Sequence, residues 1–74
     1  MTSAQRHHRQ GVSLYDSGEY QKAIEEFSQT IELDPQYPEA YYIRGHSYAN
    51  LGQDERAIED YDRAIELDPQ YAWA

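Results

Sequence analysis

The seven residues IELDPQY occupy positions 31–37 and return unchanged at positions 65–71, 34 residues further along a chain of 74. Aligning residues 4–37 with residues 38–71 gives thirteen identities, seven of them within this stretch. Internal repetition at a fixed spacing of this size predicts two copies of one structural unit. A single unit of this kind cannot bury its apolar face alone, so the second copy is expected to stack on the first.

Each unit contains two stretches of helical periodicity, separated by glycine and ended by proline. Gly18 and Gly52 can close the first helix in the left-handed conformation, and Pro35 and Pro69 end the second helix. Because the connections are short, consecutive helices are expected to be antiparallel neighbours. The pattern predicts four helices, over 4–17, 20–33, 38–51 and 54–67.

Glycine also stands in the middle of the first helix of each unit, at Gly11 and Gly45. A glycine inside a helix costs about 1 kcal/mol relative to alanine, so a compensating reason is expected. We predict that the paired helix approaches closely at these positions, with Phe27 and Tyr61 as the large side chains that contact the two glycines.

The repeat defines the expected organisation of the chain. The fold class is all-α, an α-solenoid built of antiparallel helix hairpins with four helices. The predicted segments are an N-terminal tail over 1–3, a first repeat over 4–37, a second repeat over 38–71, and the start of a third repeat or a capping helix over 72–74.

Several marks of a known family occur at the same places in both units. They are Gly11, Leu14, Ala23, Phe27 and Pro35 in the first unit, and Gly45, Tyr48, Ala57, Tyr61 and Pro69 in the second. With the 34-residue period, this pattern resembles the tetratricopeptide repeat family. The resemblance implies a right-handed superhelical stack. The chain departs from the family where a large inward-facing aromatic residue is usual, since Tyr41 stands there in the second unit but His7 in the first.

The family resemblance also implies a binding surface, because the first helix of each unit lines the concave side of the stack. A peptide or a helix of a partner protein is expected to bind in this groove. The expected groove residues are Gln5, His8, Val12, Tyr15, Asp16, Glu39, Tyr42, His46 and Asn50. Tyr15 and Tyr42 are the expected anchors, because tyrosine combines a large contact area with a hydroxyl group. The alternative, that both tyrosines only pack between helices, stays open.

The likeness does not extend to the subclass that holds a partner's C-terminal carboxylate with lysine and asparagine. His8, Val12 and Ile43 stand at places where that subclass has those residues. The groove is instead aromatic and mildly acidic, which favours a neutral or basic segment.

A second function, self-assembly, is predicted from the open C-terminal flank of the last helix. Stable arrays of such units generally need three or more of them, and Trp73 is an aromatic residue near this flank. The chain is therefore expected to be an excerpt of a longer array or to cover this flank by self-association, and the first alternative is favoured. In either case some dimerisation or stacking through the open repeat ends is expected, with Trp73 as the contact residue.

Composition and charge narrow the possible partners. The chain has fourteen acidic and six basic residues, a net charge of −8, and no cysteine. Such a surface repels phosphate groups, so nucleic acid and anionic membranes are not expected as partners. The chain has no apolar run long enough for a membrane span or a secretory signal, and it is expected to be cytoplasmic.

The sequence contains no catalytic motif, and we expect no enzymatic activity and no cofactor. Carboxylate pairs such as Asp60 and Asp62 are expected to be solvated on helix surfaces. His8 and His46 are conceivable metal ligands together, but a closed zinc site usually needs four ligands, so no metal site is predicted.

Overall fold

The computed structural model describes residues 1–73, apart from the side chain of Trp73. It contains α1 (Ser3–Asp16), α2 (Tyr20–Leu33), α3 (Pro38–Asn50), α4 (Asp54–Leu67) and a 3₁₀ helix (Pro69–Trp73). Each α-helix agrees with its predicted bounds to within one residue. α1 packs against α2, α3 against α4, and α2 against α3, which confirms the predicted all-α stack of helix hairpins.

The repeated heptapeptide forms the joint that follows the second helix of each unit. In the first copy, Asp34 leaves helical geometry before the proline, and its Oδ1 atom accepts a hydrogen bond from the amide of Gln36 at 3.1 Å. Asp68 and Gln70 make the same hydrogen bond at 3.1 Å in the second copy. Both joints are therefore stabilised by groups that lie within the repeated stretch itself.

Both first helices end at a glycine in the left-handed conformation, with φ of 81° at Gly18 and 79° at Gly52. The amide after each glycine donates to a carbonyl five residues back, from Glu19 to Leu14 and from Gln53 to Tyr48, both at 2.9 Å. These hydrogen bonds satisfy carbonyl groups at the helix end and confirm the predicted helix stops.

α1 begins one residue before its predicted start, because Thr2 caps it. The Thr2 hydroxyl accepts from the Gln5 amide at 3.1 Å, while the Gln5 side chain accepts from the Thr2 amide at 2.9 Å. This reciprocal pair satisfies two amide groups that would otherwise lack partners at the helix start.

The two mid-helix glycines lie where the paired helices approach most closely. A Cβ atom at Gly11 would stand 2.6 Å from Cε1 of Phe27, and one at Gly45 would stand 2.8 Å from Cε1 of Tyr61. The predicted close approach is confirmed. Phe27 is fully buried and forms the centre of the core with Ala23 and Ala40, so the start of α3 completes the packing of the first unit.

An ion pair joins the second unit internally and connects it to the first. The guanidinium of Arg44 on α3 donates to both carboxylate oxygens of Asp60 on α4, at 2.7 and 2.8 Å, and to the hydroxyl of Ser28 on α2 at 3.1 Å. The expectation that Asp60 is solvated was therefore wrong, since its exposure is 5%. Burial opposes the charge on Arg44, but the hydrogen bonds and charge of Asp60 outweigh it and raise the pKa of Arg44.

Candidate peptide-binding groove

The groove is formed where α1 and α3 lie side by side. Val12 and Tyr15 on α1 are half-buried, as are Tyr42 and His46 on α3. The rings of Tyr15 and His46 have centroids 6.4 Å apart, so the aromatic surface continues from the first unit into the second. Three of the nine predicted groove residues, Tyr15, Tyr42 and His46, thus lie together and keep part of their surface accessible. Val12 and Tyr15 also pack against the core residues Ala23, Phe27 and Ala40.

Tyr42 and His46 belong to a larger aromatic cluster. Their rings meet edge to face with centroids 4.5 Å apart, and the ring of Tyr71 lies 4.9 Å from that of Tyr42. The ring of Tyr61 lies 5.3 Å from that of His46, and its hydroxyl is 2.9 Å from His46 Nδ1. The hydroxyl donates to Nδ1 when the imidazole carries its proton on Nε2. These contacts hold the rings in fixed orientations.

Burial shapes the charge state of this cluster. It lowers the pKa of His46, which favours the neutral imidazole at neutral pH. Burial, followed by nearby tyrosines and the Asp60 carboxylate, raises the pKa of Tyr61. Burial and the Glu39 and Asp68 carboxylates raise the pKa of Tyr71. The surface therefore presents neutral aromatic rings with hydroxyl groups, bordered by carboxylates.

His8 does not lie in the groove as predicted. It is 5% exposed, with its ring 5.5 Å from Phe27 and 4.9 Å from Tyr37. Its Nε2 lies 3.6 Å from a carboxylate oxygen of Glu39, and its Nδ1 has no hydrogen-bond partner among the residues described. Burial lowers the pKa of His8, partly offset by Glu39. The second unit covers this side chain, so it offers a ligand almost no surface.

His7, which precedes His8, lies at the edge of the hairpin, whereas the sequence predicted an inward-facing position for it. Nδ1 of His7 lies 2.7 Å from a carboxylate oxygen of Glu26, and both side chains keep about a third of their surface exposed, 33% and 28%. This contact links α1 to α2 and leaves the buried position to His8.

The remaining predicted groove residues are polar and exposed. They are Gln5, Asp16, Glu39 and Asn50. Gln5 is occupied by the cap of α1. The Asn50 amide donates to the carbonyl of His46 at 2.8 Å, which leaves its oxygen as an acceptor.

Tyr61 and Tyr71 were not predicted as site residues, although the repeat contains a signal for both. Their equivalents 34 residues earlier, Phe27 and Tyr37, contact His8 just as Tyr61 and Tyr71 contact Tyr42. In the second unit these rings border a cavity of about 330 Å³. Its lining residues are Tyr42, His46, Tyr61, Ile65, Tyr71 and Ala72.

The two candidate histidine ligands have separate environments, His8 beside Phe27 and Tyr37, and His46 beside Tyr42 and Tyr61. Within residues 1–73, no three histidine, aspartate or glutamate side chains come together as metal ligands. None of the helices described is long and apolar enough to cross a membrane.

Two stacked helix hairpins define a short α-solenoid. The model of the tetratricopeptide repeat family matches residues 8–72, and the chain belongs to that family. Members of this family are protein–protein interaction modules.

Solved structures support the same assignment. A crystal structure of MamA is similar with a TM-score of 0.89 and 34% identity, over 92% of this chain and 40% of that one. The Sgt2 TPR domain from Aspergillus fumigatus is similar with a TM-score of 0.90 and 29% identity, over 99% of this chain and 50% of that one. The chain thus spans at most half the length of these two structures. No curated protein sequence matches it.

Proposed function

We propose that the chain is a non-catalytic interaction module that binds a peptide or a helix of a partner protein in the groove between α1 and α3. The binding unit comprises the two repeats, 4–37 and 38–71, and residues 72–74 belong to the start of a third repeat or to a capping helix. The observation that supports this most directly is the half-exposed aromatic row of Tyr15, His46 and Tyr42, which crosses from one repeat to the other.

The chemistry of the groove favours a neutral or basic segment of a cytoplasmic protein. Tyr15 and Tyr42 supply large amphipathic surfaces, which are enriched among residues that dominate binding energy. Asp16 and Glu39 place negative charge at the edge, so a nucleic acid is disfavoured and a basic peptide is attracted. The free oxygen of Asn50 can accept from a peptide amide.

The test begins with peptides selected from a displayed random library on the immobilised chain, followed by fluorescence polarisation with each labelled peptide. Replacing Tyr42 and His46 by alanine should abolish binding and leave the far-UV circular dichroism of a helical protein. Lys22→Ala is the control, because Lys22 is 67% exposed on α2 and lies outside the groove. Unimpaired binding by the double variant would refute the groove assignment.

A second candidate function is self-association through the open flank of α4. Ile24 is 6% exposed, whereas Ile58, its equivalent in the second repeat, is 57% exposed. The second repeat stacks on α2, and the uncovered isoleucine on α4 marks the surface where a second copy would stack. The side chain of Trp73, the predicted contact, lies outside the described residues.

Sedimentation equilibrium distinguishes the two candidates. Ile58→Glu and Trp73→Glu should each reduce a concentration-dependent dimer to monomer while peptide binding in the groove is retained. A wild-type protein that stays monomeric at high concentration would remove self-association as a function.

A further inference from the structure

The cavity at the C-terminal end of the groove lies at a place that is filled in the first repeat. Phe27 and Tyr37 correspond to Tyr61 and Tyr71, and Ala40 from α3 packs against Phe27 with no exposed surface. In the second repeat the residue equivalent to Ala40 is Ala74, which lies outside the described residues, and the described residues there border a cavity of about 330 Å³. Its aromatic rings therefore have surface available to a ligand.

The rings in this cavity suit a cation. The faces of tyrosine rings attract positive charge, and arginine is the side chain that most often makes this contact. The same molecule already uses such contacts on the opposite side of α3. The guanidinium of Arg44 lies 5.7 Å from the ring centroid of Tyr41, and that of Arg56 lies 5.8 Å from Tyr48.

The tyrosines of the cavity make no such contact with an arginine in the part of the chain that the structure describes. Among the residues described, no cation–π contact involves Tyr42, Tyr61 or Tyr71. The arginines of the second repeat all lie over Tyr41 or Tyr48 instead. Within the part of the chain that the structure describes, the ring faces of the cavity therefore make no contact with a cation.

The surrounding charge also favours a cation. Glu39 and Asp68 lie close enough to Tyr71 to contribute to its raised pKa. His46 is held towards its neutral form by burial, so it does not repel a positive group at neutral pH. Residues 11–74 contain fourteen acidic and four basic side chains, which gives this part of the chain a negative potential.

We propose that this cavity binds the guanidinium group of an arginine side chain that a partner peptide presents at the end of the groove. The planar guanidinium stacks on aromatic faces and is more weakly hydrated than the ammonium of lysine, so arginine suits a partly enclosed tyrosine site better. This inference rests on the proposed function, because Tyr42 and His46 belong both to the groove and to the cavity.

The test is an NMR titration of the full chain with N-acetyl-arginine amide, observed through the aromatic and imidazole resonances. N-acetyl-citrulline amide is the matched probe, since it has nearly the same shape without the positive charge. We expect the arginine probe to shift the resonances of Tyr42, His46, Tyr61 and Tyr71, and to bind about two- to fivefold more tightly than the citrulline probe.

Variants of Tyr71 identify the contact. Tyr71→Phe keeps the ring face and should retain binding, whereas Tyr71→Leu should weaken it about two- to fivefold. Tyr20→Leu is the control, because Tyr20 is a half-buried tyrosine on α2 outside the cavity. Equal binding of the two probes, or full binding by Tyr71→Leu, would overturn the arginine site.

Two further outcomes separate this inference from the function on which it rests. If library-selected peptides bind the groove with the same affinity after their arginine is replaced by citrulline, the groove assignment is retained and the arginine site is wrong. If the cavity resonances shift with protein concentration in the absence of any probe, a second copy occupies the cavity, and the arginine site is again wrong.

Discussion

Replacing Gly11 by alanine is expected to destabilise the protein, although this substitution stabilises most helices. Helix propensity alone would add about 1 kcal/mol of stability. The new methyl group, however, would lie 2.6, 2.8 and 2.9 Å from three atoms of the Phe27 ring. Phe27 is fully buried and enclosed by Ala23 and Ala40, so it cannot move aside without disturbing the core.

Overpacking of this kind costs about 1–3 kcal/mol. Because three contacts are too short at once, we expect a cost near the upper end and a net loss of about 1–2 kcal/mol. For a domain of this size, each kcal/mol corresponds to about 4–8 °C in Tm. Urea and thermal denaturation followed by circular dichroism measure both quantities.

A double-mutant cycle tests the cause of this loss. In a Phe27→Leu background the methyl group has room, so Gly11→Ala should cost about 1 kcal/mol less there than in the wild type. Gly45→Ala is a comparison within the molecule and should also destabilise, since its Cβ would stand 2.8 and 2.9 Å from two atoms of the Tyr61 ring and 3.2 Å from the carbonyl oxygen of Ala57. A Gly11→Ala protein more stable than wild type, or strict additivity with Phe27→Leu, would refute the packing argument.

Three other substitutions test the remaining features of the fold. His8→Phe removes a buried nitrogen that has no partner among the described residues, and it should add about 1 kcal/mol to the free energy of unfolding. Above the ordinary imidazole pKa of 6.5, His8 is neutral in both the folded and the unfolded state, and below it the unfolded state takes up the proton more readily. The Tm of the wild type should therefore fall more than that of the variant as the pH is lowered. Arg44→Leu leaves the Asp60 carboxylate buried and unpaired, and it should lower the free energy of unfolding by about 3–5 kcal/mol in urea denaturation. The double variant Arg44→Leu/Asp60→Leu should recover most of this loss. An equal loss in the single and the double variant would contradict the argument. A Cβ atom at Gly52 would have none of the described atoms within 4 Å, so the expected cost of Gly52→Ala, about 1–2 kcal/mol, comes from backbone strain alone. An unchanged Tm would show that the left-handed conformation is not required.

Local signals predicted most of the fold. Pro35 and Pro69 ended the second helices where expected, and Gly18 and Gly52 closed the first ones in the left-handed conformation. Each of these features depends on the backbone preferences of one residue and its neighbours, which a single sequence contains. The close approach at Gly11 was predictable for a related reason, because a glycine inside a helix has a cost that packing must offset.

The site was predicted less well, because its geometry depends on contacts between distant residues. Helical spacing placed His8 and Tyr42 at the same position of the two repeats, yet His8 is covered by the second repeat and Tyr42 borders open space. The pairing of Arg44 with Asp60 spans sixteen residues and two helices, and no local pattern signals it. Repeat equivalence therefore predicts the backbone position of a residue but not the environment of its side chain.

The joints formed by the two copies of IELDPQY have a consequence for how such a chain can change over generations. Each aspartate bonds the amide two residues on, inside its own heptapeptide, so neither joint depends on the residues at the far end of the unit. A gene segment encoding one unit and its joint can accordingly be duplicated or deleted by recombination as a block, and the junction that results keeps this hydrogen bond.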